Sequence, residues 1–233
     1  MKRRVGILGG TFDPIHQGHL DLAQAAERTL ALTEMLVLPS NIPPHRAQPV
    51  ASSCHRFAMV ALAIVGRRGW RVSDLELASA EGPSFTSATL DRLARAGYAA
   101  TELFFLTGAD AFAEIESWRD FPAILDRAHF VVVSRPGAPV SALAGRLPAL
   151  AVRMRRVDTG GAAEPAESGQ TSIFLIDAET ADVSATAIRQ AAASGRPISG
   201  LVPELVERYL EQHQLYAALA HAPTAAGRLH GQN

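Results

Sequence analysis

Apolar residues in this chain fall into short unbroken runs separated by segments with helical spacing. Val5 to Leu8, Met35 to Leu38, Leu103 to Leu106, Phe130 to Val133 and Ile173 to Ile176 are runs of the kind buried on both faces of a parallel sheet. Trp70 to Leu77 reads as a further extended segment. Between the runs, Leu20 to Leu32, Ser53 to Val65 and Thr86 to Ala96 read as helices, and Gly97 suits the position after the last of them. Ser184 is a good N-cap for a helix from Ala185 to Ala193, and Pro203 suits the start of a final helix reaching about His213. This alternation predicts an α/β protein with a doubly wound, mostly parallel sheet and a small helical portion over about 184–216. Ligands are expected in the crevice beyond the carboxyl ends of the strands.

Two regions break the pattern. Pro136 to Ser172 mixes Pro, Gly and Ala with Arg153, Arg155 and Arg156, and part of it reads as a flexible loop whose arginines form a solvated face. Residues 217–233 lack any pattern and read as a flexible tail, leaving 1–216 as a single domain.

Composition narrows the class. A chain of 233 residues, 48% hydrophobic, buries a sizeable core. Its net charge of −1 gives no polybasic field for nucleic acid, so anionic ligands must be met by local placement of Arg and His. One cysteine excludes an internal disulfide framework and fits a reducing, cytoplasmic setting. The apolar run after Arg4 is too short for a signal peptide and breaks at Asp13, and no stretch approaches the roughly 18 apolar residues of a membrane span.

The chemistry concentrates at the end of the first run, in Gly9-Gly10-Thr11-Phe12-Asp13-Pro14-Ile15-His16-Gln17-Gly18-His19. Strand, glycine-bearing turn and helix follow one another, so helix N–H groups point at any anion in the gap, and glycines without Cβ allow close approach to the backbone. His16 and His19 share a face if the helix has begun by then. A dinucleotide fingerprint and a P-loop are both disfavoured by the glycine spacing. A metal pair is disfavoured because Cys54 has no Cys or His partner at finger-like spacing, so no protein metal site is expected. Asp13 also reads as a turn residue, Asp-Pro being a common turn dipeptide.

The segment resembles the H-x-G-H signature of a nucleotidyltransferase superfamily, and in its longer form the bacterial nicotinate-nucleotide adenylyltransferases. Pro39 to Arg46 resembles their Pro-Pro-His loop, Pro83 to Thr86 their substrate loop, and Gly108-Ala109-Asp110 the turn after their fourth strand. Val183 to Arg189 resembles the second superfamily signature, Ile-Ser-x-Thr-x-Ile-Arg. The resemblance covers about residues 3 to 216 and implies a Rossmann-like nucleotidyltransferase fold. The implied reaction is transfer of the adenylyl group of ATP to nicotinate mononucleotide, in line and without a covalent enzyme intermediate, with Mg²⁺ carried on ATP.

On this resemblance His16, His19 and Arg189 are the catalytic candidates. ATP is expected at Gly9, Gly10, Thr11, Phe12, His16, Gly18, His19, Gly108, Asp110, Ser184, Thr186 and Arg189. Nicotinate mononucleotide is expected at Asn41, Pro44, His45, Arg46, Thr86, Asp110, Trp118 and Arg119. Family members often carry an aromatic residue or His where this chain has Arg119, and Trp118, near Ile115 and Phe121, also reads as a core residue. Three rivals stay open: the amide substrate nicotinamide mononucleotide, pantetheine phosphate as acceptor, and a non-catalytic nucleotide-binding module. A homo-oligomer is compatible with all of them.

Overall fold

The computed structural model describes residues 3–42, 48–78, 82–158 and 169–218. Seven strands among them form one sheet in the order β3-β2-β1-β4-β5-β7-β6, with every pairing parallel. They are β1 (Val5–Gly10), β2 (Glu34–Pro39), β3 (Trp70–Val72), β4 (Leu103–Gly108), β5 (His129–Val133), β6 (Met154–Val157) and β7 (Ile173–Ile176). The helices are α1 (Gln17–Leu30), α2 (Ser53–Ala63), α3 (Thr86–Arg95), α4 (Ala109–Phe112), α5 (Leu143–Arg146), α6 (Ala185–Ala193) and α7 (Glu204–Gln212).

Period-two side-chain alternation explains why the central strands are apolar throughout. Val5, Ile7, Phe130, Val132, Ile173 and Leu175 enter the core on one face, while Leu8, Val131, Val133, Phe174 and Ile176 enter the core on the other. The first face is covered by α3, α4 and α5, the second by α1, α2, α6 and α7. Gly6 is required by this packing, because a Cβ there would lie 2.7 Å from the Met35 sulfur.

From β1 the chain winds outward to β2 and β3, then returns to place β4 on the other side of β1. The junction of β1 and β4 is therefore the topological switch point, where a crevice opens beyond the strand ends.

Several expectations need correction. Gly9 and Gly10 belong to β1 itself, paired with Leu38 and Pro39 of β2. Helix α1 begins at Gln17, three residues before the expected start, with His16 as its N-cap. Of Trp70 to Leu77, only Trp70–Val72 pairs as a strand. The region from 136 to 172 contains α5, short 3₁₀ turns and β6, which closes the sheet edge against β7. Arg155 and Arg156 are exposed on that edge strand, as expected of a solvated face. Arg153 instead donates to Thr171 Oγ1 at 2.7 Å, to Leu125 O at 2.8 Å and to Asp126 at 2.9 Å. Of the segment Pro136 to Ser172, expected to be loop in part, residues 159–168 lie outside the described residues, as do residues 219–233 of the tail expected over 217–233.

Candidate active site

Strand β1 ends on two glycines, the chain turns through Phe12 at φ +50°, and α1 starts at Gln17. Gly10 serves this turn less as an opening for ligand than as room for the Phe12 ring, which a Cβ would meet at 2.9 Å. The ring is buried and meets His19 edge-on at 5.1 Å between centroids, which leaves the Phe12 main chain as the part that faces the turn. Gly18 has a similar function: a Cβ would lie 3.0 Å from Ala181 O and 3.4 Å from the His16 ring. Its absence lets the start of α1 sit directly against the segment leading to α6.

His16 and His19 do share a face, with ring centroids 3.7 Å apart. The His16 N–H donates to His19 Nδ1 at 3.2 Å, which makes that nitrogen an acceptor and leaves Nε2 as the donor of the neutral ring. His16 is buried, and its Nδ1 has no hydrogen-bond partner among the described residues. Burial, aided by the nearby Arg135 guanidinium, lowers its pKa to about 4. The ring is therefore neutral at physiological pH, an alternative that the sequence left open.

Arg189 and Arg135 border the open side of this turn. Arg189, on α6, donates through Nη1 to Asp13 O at 2.7 Å and through Nη2 to Thr186 Oγ1 at 3.2 Å. The Ser184 hydroxyl caps α6 by accepting from Ala187 N–H at 3.2 Å. Arg135 follows β5 and forms an ion pair with Asp110 at 3.6 Å. Gly108 makes that pairing feasible, since a Cβ there would lie 2.5 Å from Asp110 Oδ1 and 2.6 Å from Arg135 Cδ. Beyond β5 and β7, a cavity of about 480 Å³ is lined by Arg135, Gly137, Asp177, Ala178, Glu179 and Thr180 among others, and the Thr180 hydroxyl is buried without a partner among the described residues.

Asp13 is more than a turn residue. Its carboxylate is buried and accepts from Val50 N–H at 2.8 Å, Ala51 N–H at 3.1 Å and Tyr216 hydroxyl at 2.8 Å. Arg56, also buried, donates to the carbonyls of Thr11 at 2.7 Å, Ser40 at 2.6 Å and Asn41 at 3.2 Å. Arg56 thereby ties the chain after β1 to the chain after β2, and Asp13 ties the turn to the segment before α2 and to the end of the described chain. Sequence reasoning missed Arg56, Arg135 and Tyr216. Arg135 was recoverable, because it directly follows an apolar strand run, as the recognised site segments do.

The comparisons with known proteins bear on the family and the fold. A family model described as Cytidylyltransferase-like matches residues 7–191. A probable nicotinate-nucleotide adenylyltransferase of Desulfatibacillum aliphaticivorans is 39% identical over 222 residues, covering 91% of this chain and 99% of that one. One of Cronobacter sakazakii is 40% identical over 209 residues, covering 89% and 93%. This chain belongs to the nicotinate-nucleotide adenylyltransferase family. Among solved structures, a Plasmodium falciparum nicotinic acid mononucleotide adenylyltransferase complexed with NaAD superposes with a TM-score of 0.67 at 16% identity, covering 92% of this chain and 98% of that one, a likeness of fold.

Of the expected acceptor residues, Asp110 pairs with Arg135, while Asn41, Thr86, Trp118 and Arg119 lie on the segments after β2, at the start of α3 and after α4. Asn41 donates its N–H to Ser84 Oγ at 2.9 Å, and Ser84 N–H donates to Ile42 O at 2.8 Å, which ties the end of β2 to the loop before α3. Buried Glu76 accepts from the Thr89 hydroxyl at 2.7 Å; burial pushes its carboxyl up, and the Thr89 and Ser84 hydroxyls oppose that. Thr86 opens α3. Trp118 is half-buried and edge-on to Phe105 at 6.1 Å, so its role in the core is real. Arg119 lies over the Phe85 ring at 4.9 Å. Arg127 ties the next turn to α3 through Ser87 O and Asp91 at one end and Asp120 at the other. Pro44, His45 and Arg46 lie outside the described residues.

Proposed function

We infer that this chain transfers the adenylyl group of ATP to nicotinate mononucleotide, giving nicotinate adenine dinucleotide and pyrophosphate in NAD biosynthesis. The observation that carries this reading is the stacked His16–His19 pair at the N-terminus of α1, flanked by Arg189 and Arg135 at the switch point. Four groups suited to phosphate oxygens thereby converge on one crevice in a member of this family.

An acceptor 5′-phosphate oxygen attacks the α-phosphorus of ATP as the bond to pyrophosphate breaks. A phosphate monoester carries about −1.5 to −2 charge at pH 7, so the nucleophile needs no protein base. What remains is positioning and stabilisation of charge on the non-bridging and leaving oxygens. His19 donates from Nε2, and neutral His16 supports it through the ring stack. Arg189 presents the part of its fork that Asp13 and Thr186 leave available. The N-terminus of α1 adds its dipole, with the Gln17 N–H already given to Leu201 O at 2.9 Å and the His19 N–H to His16 O at 3.0 Å.

Mg²⁺ would neutralise the phosphates as part of the nucleotide substrate. The local donor set suits that arrangement, since Asp13 is occupied by three donors and Asp110 pairs with Arg135.

On the acceptor side, the α3 N-terminus at Thr86, to which Phe85 supplies no side-chain cap, and the Arg119 guanidinium both favour an anionic ring substituent, in competition with the Asp120 carboxylate at Ser87. That chemistry supports the acid over the amide. No helix among the described residues is long and apolar enough to cross a membrane, and a cytoplasmic enzyme accords with this reading.

The test is pyrophosphate release from ATP and Mg²⁺ with nicotinate mononucleotide, nicotinamide mononucleotide or phosphopantetheine, compared by kcat/KM. Strong preference for the nicotinate acceptor is expected, because a polar site rejects a partner that leaves its donors unpaired. Preference for either other acceptor, or no release with any, overturns the assignment.

A further inference from the structure

Tyr216 lies 203 residues from Asp13, yet its hydroxyl donates to Asp13 Oδ1 at 2.8 Å, and the side chain is buried beneath the phosphate turn. The backbone at Tyr216 is left-handed, φ +72°, a conformation that a bulky residue adopts only under tertiary constraint. The chain past α7 is thus turned back to bring this ring under the turn. Burial and the adjacent carboxylate push the phenol pKa well above its ordinary value, so the hydroxyl stays protonated and donates.

The Asp13 carboxylate has about four lone-pair sites. Val50 and Ala51 N–H groups and Tyr216 fill three, with Oδ1 taking two donors. Arg189 Nη1 is 2.7 Å from Asp13 O but 3.8 Å from Oδ2, beyond hydrogen-bond range. A bidentate Arg–carboxylate pair needs both carboxylate oxygens. With Tyr216 on Oδ1, that pairing is blocked, and the guanidinium rests on the carbonyl.

We propose that Tyr216 is a positioning residue for the donor nucleotide: by occupying Asp13 Oδ1 it prevents Arg189 from collapsing into a two-point pair with Asp13 and keeps its fork turned toward the ATP phosphates. The C-terminal segment thereby sets the charge presented by the phosphate site. This rests on the reading of Arg189 as the phosphate clamp. It goes further by giving a residue outside both sequence signatures control over that clamp.

The test is Tyr216→Phe, which keeps the ring and removes only the hydroxyl, alone and combined with Arg189→Ala. Steady-state kinetics for both substrates, calorimetric ATP binding and thermal unfolding are measured on each. The expected result for Tyr216→Phe is an ATP KM and Kd raised between about 10- and 100-fold, the range for a misplaced positioning group, with the acceptor KM unchanged. In the Arg189→Ala background the same substitution should have no further effect on ATP. A merely structural tyrosine would lower Tm and worsen both substrates together, with effects that multiply across the two backgrounds; that result overturns the proposal. Unchanged ATP parameters in Tyr216→Phe also overturn it. If Arg189→Ala alone leaves ATP binding intact, the clamp reading fails first, a separate outcome from a silent tyrosine beside a sensitive arginine.

Discussion

The two ends of the sheet each hold a buried histidine whose pKa is lowered to about 4, and the resemblance stops there. His129, at the amino end of β5, is stacked on Phe104 at 4.7 Å and tilted against Phe174 at 5.5 Å, with Nδ1 accepting from Ser172 N–H at 2.9 Å. Burial is the main cause of its shift, and Arg4, Arg153 and Arg155 push the same way. His16, at the carboxyl end of β1, has an imidazole for a neighbour, a helix N-terminus beneath it and Arg135 close by. A perturbed pKa marks burial in both places, and only the company of the ring separates a structural histidine from the one proposed to serve phosphate binding. The amino end is sealed by aromatic packing, whereas the carboxyl end gathers donors around a crevice.

The sharpest way to break this contrast is to remove the functional pair's donor. His19→Ala should lower kcat by about 10²- to 10³-fold, the cost of one preorganised transition-state donor, while the fold persists. Near-normal turnover would take His19 out of the mechanism. His129→Leu should instead act on stability, at a cost of about 1–3 kcal/mol because the buried Ser172 N–H loses its acceptor, and the folded fraction should keep its kcat. Denaturant unfolding at several pH values adds a second signature. A group with a folded pKa near 4 and an unfolded value of 6.5 binds more protons when unfolded, so stability is complete above about pH 6.5 and is lost as pH falls toward 4. Each of the two histidines contributes roughly 2–4 kcal/mol to that loss, and His129→Leu should flatten the slope by one share. An unaltered slope would mean that His129 is not neutral by burial.

The smallest expected effect sharpens the other side. Arg135→Gln removes a cation that disfavours the His16 imidazolium, so the His16 pKa should rise in an NMR titration yet stay below its ordinary value, since burial is the larger cause. No movement, or movement downward, would place Arg135 away from His16 and weaken its assignment to the site.

Legibility in the sequence followed the range of the forces involved. The five apolar runs became strands, and Ser184 capped α6 over the expected span, because hydrophobic periodicity and capping act over a few residues. Gly97 took up φ +94° after α3 for the same local reason. Strand β6 was not legible: Met-Arg-Arg-Val lacks alternation, and only pairing with β7 makes it a strand. At the site, the histidine spacing that puts His16 and His19 on one face at the start of α1 could be read directly. Asp13 and Tyr216 could not, because their hydrogen bond joins distant parts of the chain, and Arg56 on α2 resembles a surface helix residue until its carbonyl partners, Ala51 O at 3.3 Å among them, are seen.

The central claim is that ATP is held by the carboxyl end of the sheet at the His16–His19 turn. Histidine ring NMR during titration with a non-hydrolysable ATP analogue and Mg²⁺ tests it most directly. The resonances of His16 and His19 should shift together with a single affinity, and those of His129 should stay in place. A shift confined to His129, or none at His16 and His19 under saturating nucleotide, would contradict the account.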